Sequence, residues 1–321
     1  MSEVHKFLFD GLPVRGSIVR LTDAWTEILQ RRQADAASTA WPWPVTQMLG
    51  EMAAAGVLMQ SSIKFNGALV MQIFGEGPVK VAVAEVQQDL SLRVTAKVVG
   101  EVEAGAHLQQ LVNVNGRGRC AITLDPRDRL PGQQAYQGVV PLNATPGAGA
   151  PNLAEVLEHY MRQSEQLDTR LVLAADDAIA AGLLIQRLPV EGKGNIAGGR
   201  GMDAAEQLEH FQRIATLAGS LTAGELLQLD VETVLRRLFW QEKILRFEPQ
   251  TPRFACTCSR ERVAGMIRGL GQEEADGIIA ERGEIDVTCD FCGQHYRFDP
   301  VDTAQLFTSL GDRPPATSTM H

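Results

Sequence analysis

The hydrophobic and polar positions of the first 190 residues follow two periods. Apolar residues recur at helical spacing over 45–63, which predicts a long helix buried on most of its sides. Short apolar runs separated by tight turns predict strands at 68–74, 79–86, 92–99, 120–124, 136–142, 170–174 and 182–188. Further helices are predicted at 22–32 and 152–166. This pattern is typical of an α+β domain with a mainly antiparallel sheet.

The rest of the chain is organised differently. A glycine-rich stretch over 189–201 is expected to form a flexible loop, and helical spacing then returns in three short pieces at 204–218, 223–229 and 231–240. Helices this short are marginal alone and must pack on something else. We therefore predict an α+β core domain over 1–200, a helical linker over 201–250, a small C-terminal module over 251–310 and a disordered tail over 311–321.

Composition narrows the classes of function. The formal net charge is -9, and no basic patch stands out, so nucleic-acid binding is not expected. No apolar run reaches the length of a transmembrane helix, and the N-terminus lacks a signal-peptide core, so we expect a cytoplasmic protein without membrane contact. Thiols are normally reduced in that compartment. The five cysteines therefore indicate metal binding or redox chemistry rather than a disulfide framework.

Four of these cysteines form two pairs near the C-terminus. Cys256 and Cys258 make a C-x-C pair, and Cys289 and Cys292 make a C-x-x-C pair followed by Gly293. Four thiolates complete a closed tetrahedral zinc site, and glycine permits the positive φ that such a turn needs. We predict one Zn²⁺ per chain. Helical apolar spacing over 262–279 lies between the two pairs, and strands 284–288 and 295–298 are predicted to form a hairpin around the second pair.

The same chemistry suggests a response to oxidants. Zinc holds cysteines as thiolates, which are the form that oxidants attack. Oxidation would turn ligands into non-ligands, and a module this small would lose its fold with its metal. A constitutive zinc ribbon that binds a partner, a thiol–disulfide oxidoreductase and, less in keeping with the spacing, an iron–sulfur protein remain as alternatives. We find no nucleophile–base pair and no phosphate loop, so no catalytic residue is assigned and no enzyme is expected.

Two other residues are candidates for the site. Cys120 lies in a predicted strand and is interpreted as a small core residue rather than a further redox partner. His295 follows Cys292 closely enough to be an alternative ligand, but four cysteines already fill a tetrahedral site.

Longer stretches around these cysteines resemble a known family. Residues 254–262 and 283–298, together with shorter pieces at 14–16, 64–65, 75–78, 136–140 and 164–170, are similar to the 33 kDa chaperonins, the redox-regulated heat-shock chaperones of bacteria. The matching pieces run in the same order over nearly the whole chain, which argues against a chance match.

The resemblance also implies a mechanism of regulation and a function for this chain. It implies zinc on the four cysteines in the reduced form, disulfides Cys256–Cys258 and Cys289–Cys292 after oxidation, loss of zinc, and unfolding of the module and the linker. It also implies that the exposed surface holds unfolding client proteins without ATP, and that the oxidised form is a homodimer. Apolar residues of the linker would cover or form the client surface: Leu208, Phe211, Leu217, Leu226, Leu235 and Phe239.

Overall fold

The computed structural model describes residues 1–34, 40–128, 132, 134–143, 151–189 and 203–308. The chain divides into two compact units, Met1–Ala255 and Cys256–His321. The predicted glycine-rich loop, the predicted boundary at 200–201 and the predicted tail over 311–321 lie wholly or almost wholly outside the described residues.

The first unit is built from strands and helices that form an α+β fold. Its strands are β1 (Glu3–Phe9), β2 (Val14–Leu21), β3 (Gly67–Phe74), β4 (Val79–Gln87), β5 (Ser91–Val98), β6 (Arg119–Pro126), β7 (Tyr136–Pro141), β8 (Thr169–Ala175), β9 (Ala180–Arg187), β10 (Ile244–Arg246) and β11 (Arg253–Phe254). Its helices are α1 (Asp23–Ala34), α2 (Trp43–Ser62), α3 (Leu108–Val112), α4 (Leu153–Ser164), α5 (Ala204–Gly219), α6 (Ala223–Gln228) and α7 (Val231–Phe239).

The strands form two sheets rather than one. The five-stranded sheet has the order β10-β1-β2-β9-β8, and the six-stranded sheet has the order β11-β5-β4-β3-β6-β7. All neighbours are antiparallel except β11 and β5, which pair in parallel over two residues. The predicted α+β class with mainly antiparallel strands is confirmed.

Helix α2 is the centre of the first unit. It contacts β2, β8 and β9 of one sheet and β3, β4 and β5 of the other. Fifteen of its residues are buried, which explains why its sequence is apolar on nearly every side instead of along one stripe. The buried helix predicted over 45–63 is thus confirmed, although it begins two residues earlier, at Trp43.

The opposite face of the five-stranded sheet packs against helices α5, α6 and α7. Alternate residues of the strands point to this face, and they form one apolar cluster with the helices. In this cluster, the ring of Phe239 on α7 makes an edge-to-face contact with the ring of Phe9, and the two ring centroids are 5.0 Å apart. Of the six apolar linker residues named above, Phe211, Leu226, Leu235 and Phe239 are buried in this cluster, whereas Leu208 and Leu217 are more than one-third exposed.

One arginine of the sheet also fixes these helices. The Arg20 guanidinium on β2 donates to the carbonyl oxygens of Leu226 (2.8 Å), Leu227 (3.1 Å) and Leu229 (2.6 Å). These carbonyls lie at the C-terminal end of α6, where helical backbone acceptors have no intrahelical partner. A single side chain therefore caps α6 and ties it to β2.

The second unit is much smaller. It contains helices α8 (Arg260–Leu270), α9 (Gln272–Arg282) and α10 (Pro300–Phe307) and an antiparallel hairpin of β12 (Ile285–Thr288) and β13 (His295–Phe298). Its apolar cluster has five buried members: Ala264, Ile267, Ala275, Ile285 and Phe298. The predicted hairpin is confirmed. The helical spacing predicted over 262–279 is confirmed as two helices, because Gly271 with φ 94° ends α8 and precedes α9.

Removal of the Arg20 cap is expected to loosen α6 and α7. We expect Arg20→Met to lower the free energy of unfolding by about 1–3 kcal/mol, because three carbonyls lose their donors. Amide hydrogen exchange should rise over 223–239 and stay unchanged in β3 and β4. Arg117→Met is the control, since the Arg117 side chain is 78% exposed. Unchanged exchange in α6 and α7 would contradict the capping role.

A half-buried glutamate on α2, Glu51, should make the stability of the protein depend on pH. Glu51 lines a cavity of about 350 Å³ beside Met48 and Leu108, and burial raises its pKa from 4.5 to about 7. The folded state therefore holds a proton that the unfolded chain releases, so this group costs stability as pH rises from about 4.5 to 7. Glu51→Gln should raise the free energy of unfolding by about 1–3 kcal/mol at pH 8 and change it little at pH 4. Chemical denaturation at both pH values measures this, with the surface variant Glu27→Gln as control.

Candidate metal centre

Two turns of the second unit carry the four C-terminal cysteines. Cys256 and Cys258 precede α8, whose N-cap is Ser259. Cys289 and Cys292 lie in the turn that joins β12 to β13. The fold thus brings together two pairs that are separated by thirty residues of chain.

The four sulfur atoms form a compact cluster, which we call the four-cysteine cluster. All four lie within 4.8 Å of one another. The Cys256 and Cys289 sulfurs are 3.7 Å apart, and those of Cys258 and Cys292 are 3.4 Å apart. These distances exceed the length of a disulfide, about 2.05 Å. They are close to the roughly 3.8 Å between sulfurs at the corners of a tetrahedron with metal–sulfur bonds of about 2.3 Å.

The backbone of the second turn points its amides at sulfur. The amides of Phe291 and Cys292 donate to Cys289, and the amide of Gln294 donates to Cys292. Gly293 makes this possible because it takes φ 69°, a conformation that favours glycine. The positive φ predicted for the C-x-x-C-G turn is confirmed.

The protein alone does not favour ionised thiols in this cluster. The hydrogen bond with Cys256, followed by burial, raises the pKa of Cys289 well above its ordinary value. Burial raises the pKa of Cys292 to about 11. Negative charges this close repel each other, and a bound cation reverses the balance by stabilising the thiolates. The residues therefore fit a soft divalent cation, whose uptake would release protons.

A tyrosine that the spacing of the cysteines did not single out also belongs to this site. The Tyr296 hydroxyl donates a hydrogen bond to the Cys258 sulfur at 3.1 Å, and this bond raises the pKa of Tyr296. Tyr296 lies on β13, and its ring packs against the apolar cluster of the unit. The alternation along the hairpin strand points its side chain away from that of His295, but no motif in the sequence indicates the contact.

The alternative ligand His295 is engaged elsewhere. Its Nδ1 lies 3.1 Å from an Asp286 carboxylate oxygen and 3.1 Å from the Thr288 hydroxyl. It is not part of the four-cysteine cluster, which is the one group of three or more such ligand atoms among the described residues.

Cys120 lies in the first unit, away from any such group. It sits on β6 opposite Ile73 and is completely buried. Burial raises the pKa of its thiol to about 12, so it has little thiolate character. Its interpretation as a small core residue is confirmed.

Among the helices that the structure describes, none is both long enough and apolar enough to cross a membrane.

Comparison with known proteins gives one consistent result. The family model described as "Hsp33 protein" matches residues 2–299. The 33 kDa chaperonin of Chromobacterium violaceum is 42% identical over 305 residues, which cover 95% of this chain and 93% of that protein. The 33 kDa chaperonin of Methylobacillus flagellatus is 41% identical over 307 residues, covering 95% of this chain and 94% of the relative.

A solved structure shares the fold. The crystal structure of the 33 kDa chaperonin (heat shock protein 33 homolog) from Thermotoga maritima aligns with a TM-score of 0.71, covering 95% of this chain and 97% of that chain at 20% identity. Together with the family model and the relatives at about 40% identity, the comparisons confirm the resemblance read from the sequence: this chain belongs to the Hsp33 family of chaperones.

Proposed function

We propose that this chain is a redox-regulated holding chaperone that works without ATP and has no enzymatic activity. The observation that carries the proposal is the cluster of four free thiols within 4.8 Å, held in a unit of whose described apolar residues only five are buried. In this proposal the protein acts in the cytoplasm and its partners are unfolding client proteins. The net charge of -9 gives no basis for a nucleic-acid partner.

In the reduced form, the four cysteines hold one zinc ion. Zinc is the ion for which four thiolates in a tetrahedral arrangement are the usual structural site. When bound, it supplies the positive charge that keeps all four sulfurs deprotonated. A core of five residues stabilises a unit of this size only slightly, so the metal would contribute much of its folding free energy.

Oxidation would dismantle this site. Two thiolates and one hydrogen peroxide give one disulfide and two hydroxide ions, so two peroxides convert the four cysteines into two disulfides. We propose the pairs Cys256–Cys258 and Cys289–Cys292, because these cysteines stay close in the chain once the unit unfolds. Disulfide sulfurs are poor ligands, so oxidation deprives the unit of its metal.

The surface for clients would come from the linker, residues 201–250. Helices α5, α6 and α7 bury apolar side chains against the five-stranded sheet, and their release would expose both faces of that contact. Next to them, Trp240 is already 73% exposed and Phe247 52% exposed. Such surfaces bind unfolded chains, and a newly exposed apolar face also favours pairing of two oxidised copies into a homodimer.

The geometry of the second turn disfavours a thiol–disulfide oxidoreductase. In that class the C-x-x-C motif begins a helix, whose N-terminus lowers the pKa of the attacking cysteine. Here Cys289 and Cys292 lie between two strands of a hairpin, and the pKa of each is raised.

Zinc loss and chaperone activity should appear together. We expect peroxide with mild heat to release about one zinc per chain, followed with a metallochromic dye, while the same sample begins to suppress aggregation of a thermally unfolding client. A thiol reductant with added zinc should reverse both changes. Cys120→Ala is the matched control and should respond as the unsubstituted chain does. Zinc that stays bound, or that leaves without any gain in holding activity, would favour a constitutive zinc ribbon.

Peptide mapping should identify the disulfides. After complete oxidation under unfolding conditions, non-reducing mass spectrometry should find Cys256 joined to Cys258 and Cys289 joined to Cys292. Oxidation under conditions that keep the unit folded tests the alternative, because there the sulfurs of Cys256 and Cys289 are 3.7 Å apart. Cross-pair disulfides as the main product under unfolding conditions would refute the proposed pairing.

A further inference from the structure

The hydrogen bond from Tyr296 to Cys258 gives one ligand of the four-cysteine cluster a distinct environment. The donor and acceptor are 3.1 Å apart and come from positions 38 residues apart in the chain. The Cys258 sulfur also contacts that of Cys292, which is a member of the cluster. A side chain outside the cluster thus points a hydroxyl at one sulfur.

The rest of Tyr296 is fixed by the fold. It occupies β13 opposite Val287 of β12, and its ring packs with the apolar cluster of the unit. On the same strand, Phe298 is almost completely buried under the Arg260 guanidinium, which lies 4.2 Å from the ring centroid. The hydroxyl is therefore held at the sulfur by the packing of the strand, with little entropy left to lose when the hydrogen bond forms.

A hydrogen bond to a thiolate withdraws charge from sulfur. A thiolate attacks peroxide with an electron pair of its sulfur. A hydrogen bond donated to that electron pair makes the sulfur a weaker nucleophile. We infer that Tyr296 is a positioning residue of the redox switch: its hydroxyl slows oxidation of Cys258 and so raises the oxidant level at which the switch responds. This inference rests on the proposed function.

The step concerned is the first one at Cys258. Its thiolate sulfur attacks one oxygen of hydrogen peroxide, an S–O bond forms, the O–O bond breaks and hydroxide leaves. A second thiolate then attacks the sulfenic sulfur, forming the S–S bond and displacing another hydroxide. The opposite role for Tyr296 would be to protonate the leaving oxygen of peroxide, which would speed the first step instead.

The variant Tyr296→Phe separates these roles. It removes the hydroxyl and keeps the ring that packs in the unit. Tyr136→Phe is the matched control, since Tyr136 lies on β7 in the first unit and is 46% exposed. Zinc content and circular dichroism of each reduced, zinc-loaded protein check that the unit is folded before oxidant is added.

The rate of oxidation is measured separately at Cys258 and at Cys289. Hydrogen peroxide is added together with a 1,3-diketone that traps sulfenic acids, and tandem mass spectrometry follows Cys258 and Cys289 in the same molecules, while a dye follows zinc release. We expect Tyr296→Phe to raise the rate of Cys258 modification about threefold to tenfold, the size of one lost hydrogen bond, with a smaller change at Cys289. Zinc release should begin at a lower peroxide concentration than in the unsubstituted chain and in Tyr136→Phe.

Three results would overturn the inference. Unchanged Cys258 kinetics would show that the hydroxyl has no effect, and slower modification would assign it the role of proton donor. Equal acceleration at Cys258 and Cys289 would show general loosening of the unit. The failure of the proposed function is distinguishable from all of these, because it is read from the unsubstituted chain, which would then keep its zinc or gain no holding activity.

Discussion

Four sulfur atoms within 4.8 Å of one another can all be negatively charged only if a cation lies among them. This electrostatic constraint connects the chemistry of the second unit to its fold. With a divalent ion, the thiolates attract a common partner and join two distant turns of the chain. Without one, the hydrogen bond with Cys256 and burial raise the pKa of Cys289, and burial raises the pKa of Cys292. Loss of sulfur charge through oxidation removes the same attraction.

The two units differ in the size of the apolar core that stabilises each of them. The first unit surrounds α2 with two sheets and has a second apolar cluster between the five-stranded sheet and α5, α6 and α7. In the second unit, the described part up to residue 308 has five buried apolar residues and a hairpin of two four-residue strands. A change at four sulfur atoms is therefore large relative to the stability of the second unit and small relative to that of the first.

The helices α5, α6 and α7 bury apolar residues, as the first unit does, but they are not stable by themselves. They bury residues such as Phe211 and Phe239, yet each helix is short and depends on the sheet for its stability. Arg20 caps α6 through three carbonyls, and the aromatic contact of Phe239 with Phe9 anchors α7. The proposed function requires that a segment held by contacts of this kind detach without unfolding the sheet on which it lies. This property is what a conditionally exposed binding surface requires.

The sequence by itself determined the α+β class, the apolar central helix, the three linker helices and the identity of the four clustered cysteines, because period and spacing are local properties of the chain. It also predicted a positive φ at Gly293 from the C-x-x-C-G pattern, and the structure has 69° there. The tertiary structure decided the rest. It divided the strands into two sheets, placed Arg20 on the end of α6 and brought Tyr296 to Cys258, contacts that join residues 206 and 38 positions apart. Such long-range contacts depend on packing geometry that no local pattern encodes.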